Sequence, residues 1–192
     1  MVDFPIEKKQ LYGLLELVEK NSVDAVFDFV VAKEDEFRDA QELITGFNIE
    51  NFSFQPFYTG RNLQFFRKYV FLKKRAVLEA KPTADEILIR AIINPINFGR
   101  ISILPDGSVY ANVNADKLGR LGKDSLYKML CKEMEKGSSW RRTRKKVKPC
   151  KDCLYELLCP PLSNYEYAIG RNNLCHIWSA GMHSAQNGKQ EK

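Results

Sequence analysis

Residues 149–176 read PCKDCLYELLCPPLSNYEYAIGRNNLCH, a run with four cysteines at the spacing C-x2-C-x5-C-x15-C: Cys150, Cys153, Cys159 and Cys175. A C-x2-C pair lets one tight turn aim two sulfurs at one point, and nearby loops bring the third and fourth. Four thiolates suit tetrahedral zinc or the four corners of an iron–sulfur cluster. Spacing alone does not choose between them. Pro160 follows Cys159, and a Cys-Pro pair also ends bacterial ferredoxin motifs. Proline removes one N–H and stiffens the loop beside a ligand.

The competing readings are two disulfides or four unrelated thiols. The opening, Met1-Val-Asp-Phe-Pro5-Ile6, shows no basic region followed by an apolar one, so no secretion signal is read. Apolar stretches fall well short of the ~18 residues that a membrane helix needs; the one over residues 25–32 is interrupted by Asp28. The expectation is a reducing, cytoplasmic setting without a membrane span, where close cysteines serve as ligands more often than as disulfides. Four unrelated thiols at this density, in a segment poor in core-forming periodicity, is the weaker reading. Cys131 reads as a small buried hydrophobe beside an apolar helix face. His176 is a possible substitute ligand or neighbour of the site, though a solvated or packed ring is the plainer reading; His183 is assigned no role.

Working outward toward the N-terminus, residues 136–151 carry eight basic side chains and no acidic one, whereas the rest of the chain has 22 basic against 24 acidic. The net charge of +6 is therefore one local block. Such a block can bind phosphates, form a solvated face, or neutralise the thiolates beside it and lower their pKa values.

Residues 99–113 predict a β-hairpin around Pro105-Asp106-Gly107, because Asp-Gly between β-rich runs favours a tight turn. A helix is expected over 124–135, with Leu126, Leu130 and Met134 on its apolar side. Thr83 reads as the cap of a helix over 84–92, and Pro82 disfavours helix at Lys81.

Before that boundary the chain alternates. Val2, Phe4 and Ile6 suggest a short strand; residues 8–19 a helix with Leu11, Leu14, Leu15 and Val18 inward; residues 24–32 a strand; residues 35–47 a helix; residues 51–58 a strand; and residues 63–72 a helix. Strand–helix alternation implies crossovers and a parallel sheet. Three such units make either a small open sheet or part of a larger barrel, which needs eight. The expected fold is α/β: a partial β/α unit over 1–82, a loop-rich metal domain over 83–178, with its cysteine cluster at 150–175, and a polar tail over 179–192.

The region over 98–176 resembles the SPASM domain, the C-terminal iron–sulfur extension of many radical SAM enzymes that mature peptides. That family has a Pro-Asp-Gly hairpin, a helix, then C-x2-C-x5-C-x3-C and a last cysteine. Here the hairpin is Ile101-Ser-Ile-Leu-Pro-Asp-Gly-Ser-Val-Tyr110, the run is Cys150, Cys153 and Cys159, and Cys175 matches the last member. Ser163 stands where a further cysteine is expected. The ligands that the family places just after the hairpin and near the next glycine are also missing, since Ala111, Asn112 and the surroundings of Gly119 offer none. The resemblance thus implies that one auxiliary cluster has lost its ligands and the other keeps them, which favours a 4Fe-4S cluster over zinc; zinc remains the substitute expected in a recombinant sample. The wording around Pro160-Pro161, Ser163-Asn-Tyr-Glu166 and Gly170-Arg-Asn-Asn-Leu-Cys175-His176 looks like the pseudo-radical-SAM proteins of Bacteroidales peptide-modification systems, and residues 1–80 look like half of a TIM-like partial barrel.

The chain has no C-x3-C-x2-C triplet, which radical SAM chemistry uses to hold its SAM-reducing cluster, so this chain does not cleave SAM alone. The resemblance implies at most part of a radical-SAM-type oxidoreductase, with a peptide substrate or a peptide-modifying enzyme as partner. The alternative is a zinc-ribbon-like module using residues 141–148 on nucleic acid or protein. Nucleotide phosphate loops lack their motifs, and two histidines near the C-terminus leave little material for a catalytic triad. Gln55, Tyr58, Asn94 and Asn97 read as polar turn residues or as lining of a barrel mouth.

Overall fold

The computed structural model describes residues 1–177. The tail over 179–192, with His183, and Trp178 before it lie outside the described residues. The fold is mixed α/β, and the chain divides into two compact units, Met1–Val70 and a second beginning at Phe71.

In the first unit the elements alternate as their periodicity predicts: α1 (Lys8–Lys20), β1 (Phe27–Val31), α2 (Glu34–Gly46), β2 (Phe52–Pro56) and α3 (Leu63–Tyr69). β1 and β2 pair in parallel, with Phe29 opposite Phe54. The strand expected over residues 2–6 is reduced to a single parallel bridge between Val2 and Phe29. Val2 donates to Asp28 and accepts from Val30, but Pro5 has no N–H to continue a ladder.

The helices pack on one face of this sheet. Phe37 of α2 meets Phe54 of β2 with ring centroids 4.7 Å apart, Tyr69 of α3 meets Phe37 at 4.8 Å, and Tyr12 of α1 touches Phe47 at the end of α2. Phe29, Val31, Leu11, Ala40 and Leu43 fill the core beneath. Of the four residues expected on the inner side of α1, only Leu11 is fully buried; Leu14 is exposed. The opposite face of the sheet carries Asp28, Val30 and Gln55, which line an open groove of about 580 Å³ with Asp3, Glu36 and Phe57.

The second unit opens with α4 (Lys74–Glu79) and α5 (Ala84–Ile92). Thr83 caps α5 as expected, its hydroxyl accepting from the Glu86 N–H while the Glu86 carboxylate accepts from Thr83 N–H. The hairpin follows as β3 (Ser102–Ile103) and β4 (Ser108–Tyr110), with Gly107 at φ +80° in the turn. A third strand, β5 (Lys117–Arg120), pairs antiparallel with β4. Both hairpin strands are shorter than their sequence pattern. Residues 97–100 form a turn, and the Asn112 side chain accepts from Asn114 N–H to bend the chain after Tyr110.

Helix α6 (Leu126–Lys136) occupies the expected place, and Leu130 of its expected apolar side packs against the core, but the most buried positions are rotated from that side. Met129 and Glu133 are buried, whereas Leu126 and Met134 are partly exposed. The cause is Glu133, whose carboxylate accepts the N–H groups of Ser139 and Trp140 at 2.6 and 2.8 Å. That contact folds the chain back over α6, so Trp140 joins Val109, Ala111, Leu118 and Met129 in one core. A last short helix, α7 (Asn164–Ile169), follows two 3₁₀ turns at Arg144–Lys146 and Cys150–Asp152.

Candidate metal centre

The first two cysteines stand at the start and just past the end of the 3₁₀ turn Cys150–Asp152. Cys153 N–H donates to Cys150 O at 3.0 Å, and further tight turns carry the chain to Cys159, whose N–H donates to Tyr155 O at 3.2 Å. Cys175 arrives on an extended segment that bridges Leu72 in parallel: Leu72 N–H donates to Leu174 O, and His176 N–H to Leu72 O. Residues 71 and 72 thereby belong with the cysteine region.

Cys150 and Cys159 are buried, and Cys153 and Cys175 are half-buried. All four are free thiols, not disulfides. They share one neighbourhood: Cys159 feels the charges that Cys150, Cys153 and Cys175 would carry, and Cys150 feels those of Cys175 and Cys153. Among the described residues no group of three or more His, Cys, Asp or Glu is arranged to hold a metal ion. The four thiols are near enough to act on one another's charge but do not form a closed single-ion shell. A four-iron cluster binds one thiolate at each corner, so it takes a wider set of sulfurs than one tetrahedral ion does.

Arg144 is the cation at the centre of this region. Its side chain is only 8% exposed and pairs with Glu166, 3% exposed, at 3.0 Å. Nη1 stands 3.5 Å from the Cys150 sulfur, Nε donates to Pro160 O, and Nη2 reaches Pro161 O at 3.4 Å. Burial works against the guanidinium charge, but Glu166 and then Cys150 and Cys159 outweigh it, so its pKa is raised. Glu166 is held in turn by Ser163 N–H at 2.8 Å and by the Ser163 hydroxyl, as the capping box of α7. Ser163, at the place where a cysteine was expected by resemblance, is thus a helix cap. Asn172 ties the last loop down: it accepts from Arg142, donates to Lys148 O, and its carbonyl accepts from the Cys150 thiol at 3.4 Å.

The basic block is not one solvated face. Arg144 is buried and Arg142 stacks on the Tyr167 ring at 4.0 Å, while Lys145, Lys146, Lys148 and Lys151 are exposed. Burial outweighs the lowering that the block was expected to exert, and that Arg144 does exert, on the thiol pKa values. Burial pushes Cys159 up to about 11 and raises Cys150, and Arg144 offsets only part of this. Taking a thiolate out of water costs more than one nearby cation returns.

Other expected residues fall elsewhere. Cys131, on α6, is half-buried and raises the Tyr127 pKa by hydrogen bonding. The His176 ring packs 5.9 Å from Phe71. Asn94 and Asn97 are buried: Asn94 donates to Leu162 O at 2.9 Å, and Asn112 donates to both Asn97 and Asn164. Gln55 lines the groove of the first unit. Beside Cys159 the crevice between α5 and Pro160-Pro161 has a volume of about 10 Å³, room for about one water.

No family model, no curated protein and no solved structure matches this chain.

Proposed function

We propose that this chain is the C-terminal part of a radical-SAM-like protein, a half-barrel unit followed by a SPASM-like domain that binds one auxiliary iron–sulfur cluster through Cys150, Cys153, Cys159 and Cys175. What supports this reading is the buried Arg144–Glu166 pair, whose guanidinium stands 3.5 Å from the Cys150 sulfur, with the other three cysteines near enough for their charges to act on one another. Four thiolates and a cluster core make a polyanionic centre, and a fixed guanidinium is a natural counter-charge. Bound there, the cluster would supply electron transfer or cross-link the loops, since ligand bonds contribute folding free energy. Where the resemblance would put a ligand of the second cluster, Asn112 instead joins Asn97 to Asn164 by hydrogen bonds.

The half-barrel reading is supported by the first unit. Adjacent parallel strands with their helices on one face are the arrangement of a barrel wall; a doubly wound sheet covers both faces. The groove on the bare face has the size of a ligand site and is lined by Met1 and by Asp3, Asp28 and Glu36, of which Glu36 also pairs with Lys33 at 3.7 Å and Asp28 accepts from the Ser53 hydroxyl. It suits a peptide segment bearing a cationic side chain. On this reading the chain handles a peptide for a modifying enzyme and does not itself cleave SAM.

The test is anaerobic purification with iron, sulfide and zinc assays and an absorption spectrum. A brown protein with a charge-transfer band and about four iron per chain is expected. Stoichiometric zinc after anaerobic iron reconstitution would replace the cluster by the zinc-module alternative. That alternative also requires nucleic-acid binding that weakens steeply with salt; burial of Arg144, the middle of its basic stretch, counts against it.

A further inference from the structure

We propose that Arg144 is the positioning residue of the four-cysteine centre: its guanidinium fixes the Cys150 sulfur, and its charge, held in place by Glu166, sets the reduction potential of the bound cluster. The inference rests on the iron–sulfur reading above.

The argument begins with how the guanidinium is used. It presents five N–H donors in a planar fork. One edge takes the carbonyls of Pro160 and Pro161, which directly follow Cys159, and the Glu166 carboxylate. The other points Nη1 at Cys150. One side chain therefore indexes the loop after the third cysteine against the sulfur of the first. A lysine would bring charge to the same place but could not span these acceptors in one plane.

Glu166 is equally fixed, because Ser163 holds its second oxygen through both the backbone N–H and the hydroxyl. The pair is preorganised, not two long side chains meeting in solvent. Lys145, Lys146, Lys148 and Lys151 carry more total charge, but they are exposed, so water and salt screen them. Arg144 acts from a buried position at sulfur contact.

Reduction adds one negative charge to the cluster. A nearby buried cation and an N–H···S contact both favour the reduced form, and cluster potentials respond to these two factors. The carboxylate of Glu166 partly cancels the cation. The two members of the pair should therefore move the potential in opposite directions, which a purely structural pair would not do.

The experiment uses the full chain, purified anaerobically and reconstituted with ferrous iron and sulfide, and the variants Arg144→Lys, Glu166→Gln and the double variant R144M/E166Q. The double variant removes both charges without orphaning either, so it remains testable if a single change fails to fold. Iron and sulfide per chain, circular dichroism and the midpoint potential in a mediated dithionite titration are measured. Glu166→Gln should shift the potential positive and the double variant negative, while Arg144→Lys should give a smaller negative shift and faster iron loss to a chelator. Potentials unchanged from wild type, or all shifted in one direction, would overturn the role of Arg144 and leave the four-cysteine reading intact. A wild-type chain that takes up no iron and sulfide would sink that reading, and this proposal with it.

Discussion

Arg144 and Glu166 stand 3.0 Å apart in an ion pair almost closed to water. The pair joins the first 3₁₀ turn of the cysteine region to α7, and it has no easy half-state. Taking away one partner leaves a buried charge uncompensated, which costs about 3–5 kcal/mol. Glu166→Ala is therefore expected to lower the denaturant midpoint sharply, and R144M/E166Q to lower it less. Equal losses in urea titrations would mean that the pair is not an electrostatic unit.

Cysteine replacement separates the site from its surroundings. In reconstituted protein, Cys153→Ala should lower the melting temperature markedly, because one of four ligand bonds is lost. Cys131→Ala on α6 should leave it nearly unchanged. Small, equal shifts for both would argue against the four-cysteine set.

The metal-free protein should lose stability at high pH. Burial raises the Cys159 thiol from an ordinary value near 9 to about 11. Between these values the folded chain keeps a proton that the unfolded chain has released, so unfolding is favoured as pH rises. The contribution is fully present below pH 9 and gone above 11. Denaturation midpoints of wild type and Cys159→Ser, both metal-free, should therefore converge across this window. A constant difference from pH 8 to 11 would refute the assigned shift.

Two glycines should respond with opposite signs. A Cβ on Gly119 of β5 would lie 2.6 Å from the Met129 sulfur and 2.8 Å from an Asp124 oxygen. Met129 is buried and Asp124 is bonded to Arg120 N–H, so Gly119→Ala should cost about 1–3 kcal/mol through overpacking. Gly13, inside α1, has open space around its Cβ position; Gly13→Ala should stabilise by about 0.5–1 kcal/mol through helix propensity. Thermal melts of both variants read the difference.

Local chemistry was legible where a short stretch carries its own reason. Thr83 with Glu86 specifies a helix start, Pro105-Asp106-Gly107 a reversal, and Phe27–Val31 and Phe52–Pro56 their strands, because each depends on neighbours within a few residues. The C-x2-C pair likewise announced a tight turn, and a 3₁₀ turn stands at Cys150–Asp152. β5 escaped notice because Leu118 is its single buried apolar residue, with too few alternations to register. The strand at Val2 was overdrawn because alternation says nothing of whether a partner strand continues beside Pro5.

What the chain order could not express is which polar groups lie inside. Arg144 looks like one of eight charges in a basic run, and Glu133 like the outer side of α6, yet both are buried, Arg144 against Glu166 22 residues on and Glu133 under the chain that turns back over α6 six and seven residues later. The element types, the hairpin turn and the helix caps follow from spacing and propensity within a few residues. The inward face of α6, the burial of Arg144 against Cys150 and the rise of the Cys159 pKa follow from desolvation, which exists only once distant segments close over a group and remove its water.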